Sequence, residues 1–240
     1  MTVVPYKEQS TSKKEQVAQM FDNISPKYDF LNHTLSLGID RIWRRKAINL
    51  LKKDRPKLIL DIATGTGDFA IAALRLQPDK VIGVDISAGM LEVGRQKMLK
   101  KKLSEKIEMR LGDSEGLEFE ENKFDAVIVA FGVRNFEHLE EGLKDMRRVL
   151  REGGKVVILE FSRPRAFPLK QLYNFYFSWI LPKIGRLISK DQSAYTYLPE
   201  SVNAFPDGQD FLKIMNTVGY KNTTCKTLTF GISSIYTGVK

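Results

Sequence analysis

From Lys57 onward, short runs of consecutive apolar residues alternate with segments whose apolar positions recur at helical spacing. "KLILDIA", "KVIGVDIS", "IEMRLGD", "FDAVIVAFG" and "GKVVILEFS" read as strands, the last opened by Gly153-Gly154. Between them "DFAIAALRL", "AGMLEVGRQKMLKK" and "LEEGLKDMRRVL" read as helices. Strands this apolar, separated by helices, predict an α/β protein with a parallel sheet covered on both faces. Right-handed crossovers then make that sheet doubly wound. The final "GYKNTTCKTLTFGISSIYTGVK" breaks the alternation and predicts two strands meeting around Gly231, an antiparallel hairpin that closes the sheet. An ordinary dinucleotide fold does not end this way.

Two regions fall outside the rhythm. Residues 1–50 look helical with a loop at "DNISPKYDFLNHTLSLGID", and are expected to form a lid or substrate region on a main domain of residues 51–240. Residues 163–208, rich in aromatics and prolines, form an expected helical insert before the C-terminal elements. There is no repeat or low-complexity tract. With 240 residues, 42% of them hydrophobic, the chain can bury one good core. The single cysteine, Cys225, excludes an intrachain disulfide and a cysteine zinc cage, which fits a reducing cytoplasm. The N-terminus lacks a signal-peptide apolar core, and the stretch Leu172 to Leu181 is too short and too interrupted by Asn174 and Ser178 to span a bilayer. A soluble cytoplasmic protein is expected. The net charge of +9 points toward something anionic, a nucleic acid or an acidic membrane surface, or to an ordinary basic protein.

The chemistry concentrates in "LDIATGTGDFAIAAL", where Gly65, Gly67 and Ala70 satisfy the loose form of a dinucleotide fingerprint. Glycine here serves either a dinucleotide or S-adenosylmethionine, because both need a sharp turn and a close backbone approach. Charge separates the two. A pyrophosphate is repelled by carboxylates, yet Asp61 precedes the turn and Asp68 lies within it, which suits a ligand carrying an ammonium and a sulfonium. Asp85, ending the second strand, fits the ribose hydroxyls. Asp113 and Ser114, after the third strand, fit the adenine edge. Each acid alone reads equally as a cap or turn residue; together at successive strand ends they point to S-adenosylmethionine, with no metal.

These segments, with "GDSEGLEF", "FDAVIVAFGVRN" and "RVLREGGKVVILEFSRP", resemble the successive motifs of class I S-adenosylmethionine-dependent methyltransferases. That resemblance implies a mostly parallel, seven-stranded sheet. "FDNISPKYDFLNHTLSLGIDRIWR", "FGVRNF", "LEFSRP" and "YTYLPESVNAFPDGQDF" are similar to the ubiquinone/menaquinone biosynthesis C-methyltransferases from about Val17 to the C-terminus. The resemblance implies cofactor contacts at Thr66, Asp85, Asp113 and Ser114. It also implies methylation of a ring carbon on a reduced polyprenyl quinol, with a naphthoquinol head group the expected acceptor and a benzoquinol the alternative. Ala130 stands where some members carry serine, so a contact from that hydroxyl is lost.

The acceptor chemistry agrees, since only an electron-rich quinol carbon attacks a methyl sulfonium. Arg134 and Asn135, ending the fourth strand, are the expected stabiliser and orienting group, and Tyr28 the expected partner from the N-terminal loop. Arg134 could instead pair with a surface acid, and Tyr28 could simply pack as a lid aromatic. Asp29, His33 and, more remotely, His138 are reserve bases. "PLKQLYNFYFSWILPKIGRLISK" reads as a layer packed on the sheet or as an apolar wall for a prenyl tail, with Lys170, Lys183, Arg186 and Lys190 meeting lipid phosphates. Transient contact with the inner membrane face follows from the second reading, and a homodimer is a candidate assembly. A nucleic-acid partner is not expected: there is no Pro-Pro loop for base N-methylation, and Cys225 lies in the hairpin, far from any C5 chemistry.

Overall fold

The computed structural model describes residues 3–175 and 193–240. The strands are β1 (Leu58–Ile62), β2 (Lys80–Asp85), β3 (Ile107–Leu111), β4 (Phe124–Ala130), β5 (Leu150–Phe161), β6 (Lys221–Leu228) and β7 (Ser233–Val239). They form one seven-stranded sheet in the order β3-β2-β1-β4-β5-β7-β6. The first five are parallel, and β7 runs antiparallel to both β5 and β6. The doubly wound sheet with a C-terminal hairpin is therefore as expected, and the hairpin turns at Thr229–Gly231. All three turn residues have positive φ, and Gly231, at 96°, is the one that adopts it at least cost.

One detail differs from the expected strand. β5 begins at Leu150 rather than Gly154, and its register to β4 jumps from Phe124↔Leu150 to Ala126↔Lys155. The extra residues are absorbed around Gly153, whose φ is 72°. The Gly-Gly pair thus marks an irregularity within the strand and not its start.

The sheet alternates its buried side chains between two cores. Leu60, Ile62, Val127, Val129, Val156, Ile158 and Tyr236 face one side, covered by α6 (Leu139–Val149) and α9 (Gln209–Thr217). Ile59, Val81, Ala126, Ile128, Val157, Leu159 and Ile235 face the other, against α3 (Ile39–Asn49), α4 (Asp68–Ala73) and α5 (Ala88–Lys100). Leu143, Met146 and Val149 of α6 are fully buried at 3-residue spacing, along the stripe that the sequence pattern predicted.

The N-terminal residues are helical: α1 (Lys13–Ile24), a 3-10 turn at Ser25–Lys27, and α2 (Tyr28–Leu35) precede α3. α1 starts in a complete capping box between Ser12 and Glu15. It lies across the carboxyl ends of the strands and is fastened at both ends. Near its start, Lys13 Nζ donates to the carbonyl of Phe136 at 2.7 Å. Near its end, Asp22 accepts from Ser87 Oγ at 2.6 Å and from the Gly89 amide at 2.8 Å. Together with α8 (Ser193–Ala204) it buries a third, smaller cluster of Val17, Met20, Ala194, Tyr195 and Tyr197.

The expected insert is helical at α7 (Leu169–Phe175) and α8, while Lys183, Arg186 and Lys190 lie outside the described residues, as does most of the Leu172–Leu181 apolar stretch. Among the described residues no helix is long and apolar enough to cross a membrane.

Candidate active site

The loop after β1 turns back sharply. Ala63, Gly65 and Gly67 all have positive φ, and the Gly67 amide donates to the Thr64 carbonyl at 2.9 Å. A Cβ on Gly67 would meet the flexible Met98 Cε at 2.5 Å, but it is the φ of 84° that favours glycine there. Asp61 is fully buried and accepts from Thr64 Oγ1 at 2.6 Å, which holds the turn from beneath. Burial pushes its carboxyl up to about 7 against the hydrogen bonds from Thr64 and the Ala70 amide. Its Oδ1 has no partner, an unusual state for a buried acid and one that an adjacent cation would relieve.

Asp85 ends β2 beside this turn and receives the Gly65 amide at 2.7 Å and the Ser87 amide at 2.9 Å. Burial raises its carboxyl to about 6, the two amides pulling the other way. Asp85, Gly65, Asp113, Ser114, Asn135 and Tyr28 line one cavity, with about 640 Å³ of empty space when its open mouth is included. Val17, Phe21, Met90 and Phe136 supply its apolar walls. Lys14, on α1, also lines it and forms an ion pair with Asp113, so a ligand amino group at Asp113 must share or displace that ammonium. The other Asp113 oxygen accepts the Glu115 amide at 2.9 Å.

The remaining expected cofactor residues sit behind this lining. Asp61 and Gly67 build the turn. Thr66 donates to Asp29 Oδ1 at 2.5 Å and accepts from Lys97 Nζ at 2.8 Å. Lys97 also pairs with Asp29 and Asp68, at 2.5 and 2.9 Å. His33 bridges Asp40 at 2.9 Å and Asp68 at 3.2 Å, and Arg44 pairs with Asp40. Asp29 and His33 are thus engaged in a network that ties α2 and α3 to the glycine turn and α5, and neither lines a cavity described here. Asp68 shows the balance within that network: burial pushes its pKa up, but the Lys97 and Arg44 charges outweigh it and hold the acid below its usual value. His33, Asp40 and Asp68 have the donor types of a metal site, but Arg44 and Lys97 already neutralise both carboxylates. His138 is exposed and paired with Glu115 at 3.0 Å.

A second cavity of about 620 Å³ adjoins the first, and Phe21, Tyr28 and Phe131 line both. Arg134, Met20, Ile24, Phe161, Tyr195 and Tyr197 complete most of its wall. Arg134 and Asn135, neighbours in the 3-10 turn after β4, therefore serve different cavities. The Arg134 side chain is 8% exposed, donates to the Phe131 carbonyl, and pairs at 2.9 Å with Glu160, which is fully buried. Its Nε lacks a partner. Burial raises the Glu160 carboxyl, and the Arg134 charge opposes this. The arginine's acid is thus internal and not on the surface. Burial also drives the Tyr28 phenol up to about 12, so it stays a neutral donor.

Three residues here escaped the sequence reading. Glu160 was visible as a lone acid in the apolar run "VVILEF". Asp22 carried no signal, because its partners are distant in sequence. Tyr197 is 2% exposed, its hydroxyl has no partner among the described residues, and burial raises it to about 12. A buried donor left open toward a cavity expects a ligand oxygen.

Comparison with known proteins agrees with this geometry. A demethylmenaquinone methyltransferase of Bacteroides fragilis is 56% identical over 229 residues, covering 95% of this chain and 94% of that protein. A ubiquinone/menaquinone biosynthesis C-methyltransferase of Geotalea daltonii is 48% identical over 232 residues, covering 96% and 98%. Among solved structures, a methyltransferase of Thermotoga maritima described as a possible histamine N-methyltransferase superposes with a TM-score of 0.63. It is 18% identical and the match covers 92% of this chain and 98% of that one, which speaks to the fold alone. The ubiE/COQ5 methyltransferase family model matches residues 9–240, and the chain belongs to that family.

Proposed function

We propose that this enzyme transfers a methyl group from S-adenosylmethionine to a ring carbon of a reduced polyprenyl naphthoquinol, converting demethylmenaquinol to menaquinol. The observation that carries the reading is a cavity with cofactor-type acids opening onto an apolar cavity that holds an arginine and two neutral phenols. That the 56% identical Bacteroides relative is a demethylmenaquinone methyltransferase supports the naphthoquinol head group. The name of the Geotalea relative extends to the benzoquinol precursor of ubiquinone, the second reading.

Asp85, Gly65, Asp113, Ser114 and Asn135 would hold the cofactor, whose contribution when bound is an electrophilic methyl on a sulfonium. The acids fit that charge, and the orphaned Asp61 oxygen lies behind the turn. In the second cavity Arg134 favours the phenolate form of the quinol, which raises electron density on the adjacent ring carbon. Tyr28 and Tyr197 donate to the quinol oxygens and fix the ring. Phe131, Phe161 and Met20 keep water out. The bound cofactor would supply its methyl to that carbon and leave as the neutral thioether, and the displaced ring proton would be released to solvent as aromaticity returns. Within residues 1–50, α1 and α2 act as a lid over the cavities, while α3 packs into the core of the sheet formed by residues 51–240. The enzyme works in the cytoplasm and touches the inner membrane face only while collecting its acceptor.

Labelled methyl donor offered with each reduced head group tests the reading. The naphthoquinol should be labelled with the higher kcat/KM, and labelling of the benzoquinol alone would move the assignment to ubiquinone synthesis. Tyr197→Phe should lower kcat/KM for the acceptor by about tenfold, the scale of one hydrogen bond to a charged oxygen, with cofactor affinity retained. Native acceptor kinetics in that variant would make Tyr197 a packing residue.

A further inference from the structure

We propose that the acceptor's prenyl tail leaves the second cavity between Asn32, Phe161 and Leu198 and lies in an apolar groove against Trp43, Leu169 and Ile232. This rests on the quinol reading above and adds the place and direction of the tail. Asn32, Phe161 and Leu198 line both the second cavity and the groove, so the two spaces are continuous. Among the described residues none that lines the groove is charged, and its empty space of about 1040 Å³, open mouth included, exceeds that of the head-group cavity measured the same way.

An aromatic strip runs through all three spaces. Phe131 lines the first and second cavities and stacks on Phe161 with ring centroids 4.5 Å apart. Phe161 lines the second cavity and the groove and meets Trp43 edge-on at 6.3 Å. Trp43 spends its only polar atom on Thr229, Nε1 donating to Oγ1 at 2.8 Å, which leaves a purely apolar ring for the groove wall. At the mouth, Leu37 and Leu172 line the groove yet are 86% and 61% exposed. Large aliphatic side chains held in water beside an apolar groove fit a ligand that continues outward into lipid. A compact polar ligand finds no charge among the described lining residues. A linear hydrocarbon anchored at one end by a ring in the second cavity fits both the shape and the chemistry.

The test compares naphthoquinols bearing no isoprene, one, and three, all in the same detergent, with the native enzyme and with Ile232→Trp, which fills the groove away from the head group. In the native enzyme kcat/KM should rise at least about tenfold from the tail-free to the three-isoprene acceptor, because each methylene buried is worth up to about fourfold. In Ile232→Trp that advantage should collapse toward one. Leu37→Ser, at the exposed mouth, should shrink it in a protein whose core is untouched. Equal efficiency for all tail lengths in the native enzyme would overturn the groove while leaving the quinol reading standing. An advantage that survives in both variants would place the tail elsewhere. Failure to methylate any naphthoquinol, tailed or not, would take down the acceptor reading and the groove with it.

Discussion

Replacing Asp85 with alanine should weaken S-adenosylmethionine binding by about 2–3 kcal/mol, the range for hydrogen bonds to a charged group. The carboxylate is set by two amides, Gly65 on Oδ2 and Ser87 on Oδ1, at the wall of the cavity it lines. Alanine would also free those amides, so binding should be read by calorimetry on a variant shown to be folded by circular dichroism. The same residue gives a pH signature. Without ligand its carboxyl is raised to about 6 by burial, whereas ribose hydroxyls need the ionised form as acceptor. Binding therefore releases a proton below that value, and affinity should fall as pH drops through about 6, by up to tenfold for each further unit. Asp61, raised to about 7, adds to the slope if its open oxygen senses the ligand's charge. Unchanged affinity in Asp85→Ala, or a flat pH profile between 5 and 7, would remove Asp85 from the site.

Arg134→Ala should lower kcat by about 10²-fold or more, the scale of losing one oxyanion donor, with cofactor affinity nearly unchanged. It should also destabilise the fold by about 3–5 kcal/mol, because Glu160 would be left buried without its partner. The two effects separate when Glu160→Gln is added. The double variant removes the stranded charge and should recover much of the lost stability, yet it has no arginine to favour the phenolate. Stability restored with kcat still low is the expected pattern. A return of kcat together with stability would mean that Arg134 serves the fold and not the reaction.

The central strands β1, β2, β4 and β5 were legible because they carry near-continuous apolar runs, the pattern of strands buried on both faces. The hairpin was legible from Gly231. The Gly153 irregularity was not, since a Gly-Gly pair marks a strand start and an internal bulge equally well. The acids of the site were readable as types at strand ends, but their duties depend on depth. Asp85 faces the cavity, while Asp61, in the same sequence neighbourhood, lies beneath the turn and fastens it. Pairings across the chain left no local trace. Arg134 with Glu160, Lys14 with Asp113 and Asp22 with Ser87 join residues that only the folded sheet and its N-terminal helices bring together. Tyr197 stood within a quoted motif, yet only its burial and its hydroxyl, unpaired among the described residues, single it out from the tyrosines around it.

The most direct measurement is a single-turnover transfer of labelled methyl under anaerobic conditions, with the same demethylated naphthoquinone supplied either reduced or oxidised. The account predicts label on the ring carbon of the quinol and none on the quinone, because the nucleophilic carbon exists only once the ring is reduced. Equal labelling of the quinone, or label recovered on a quinol oxygen, would contradict it.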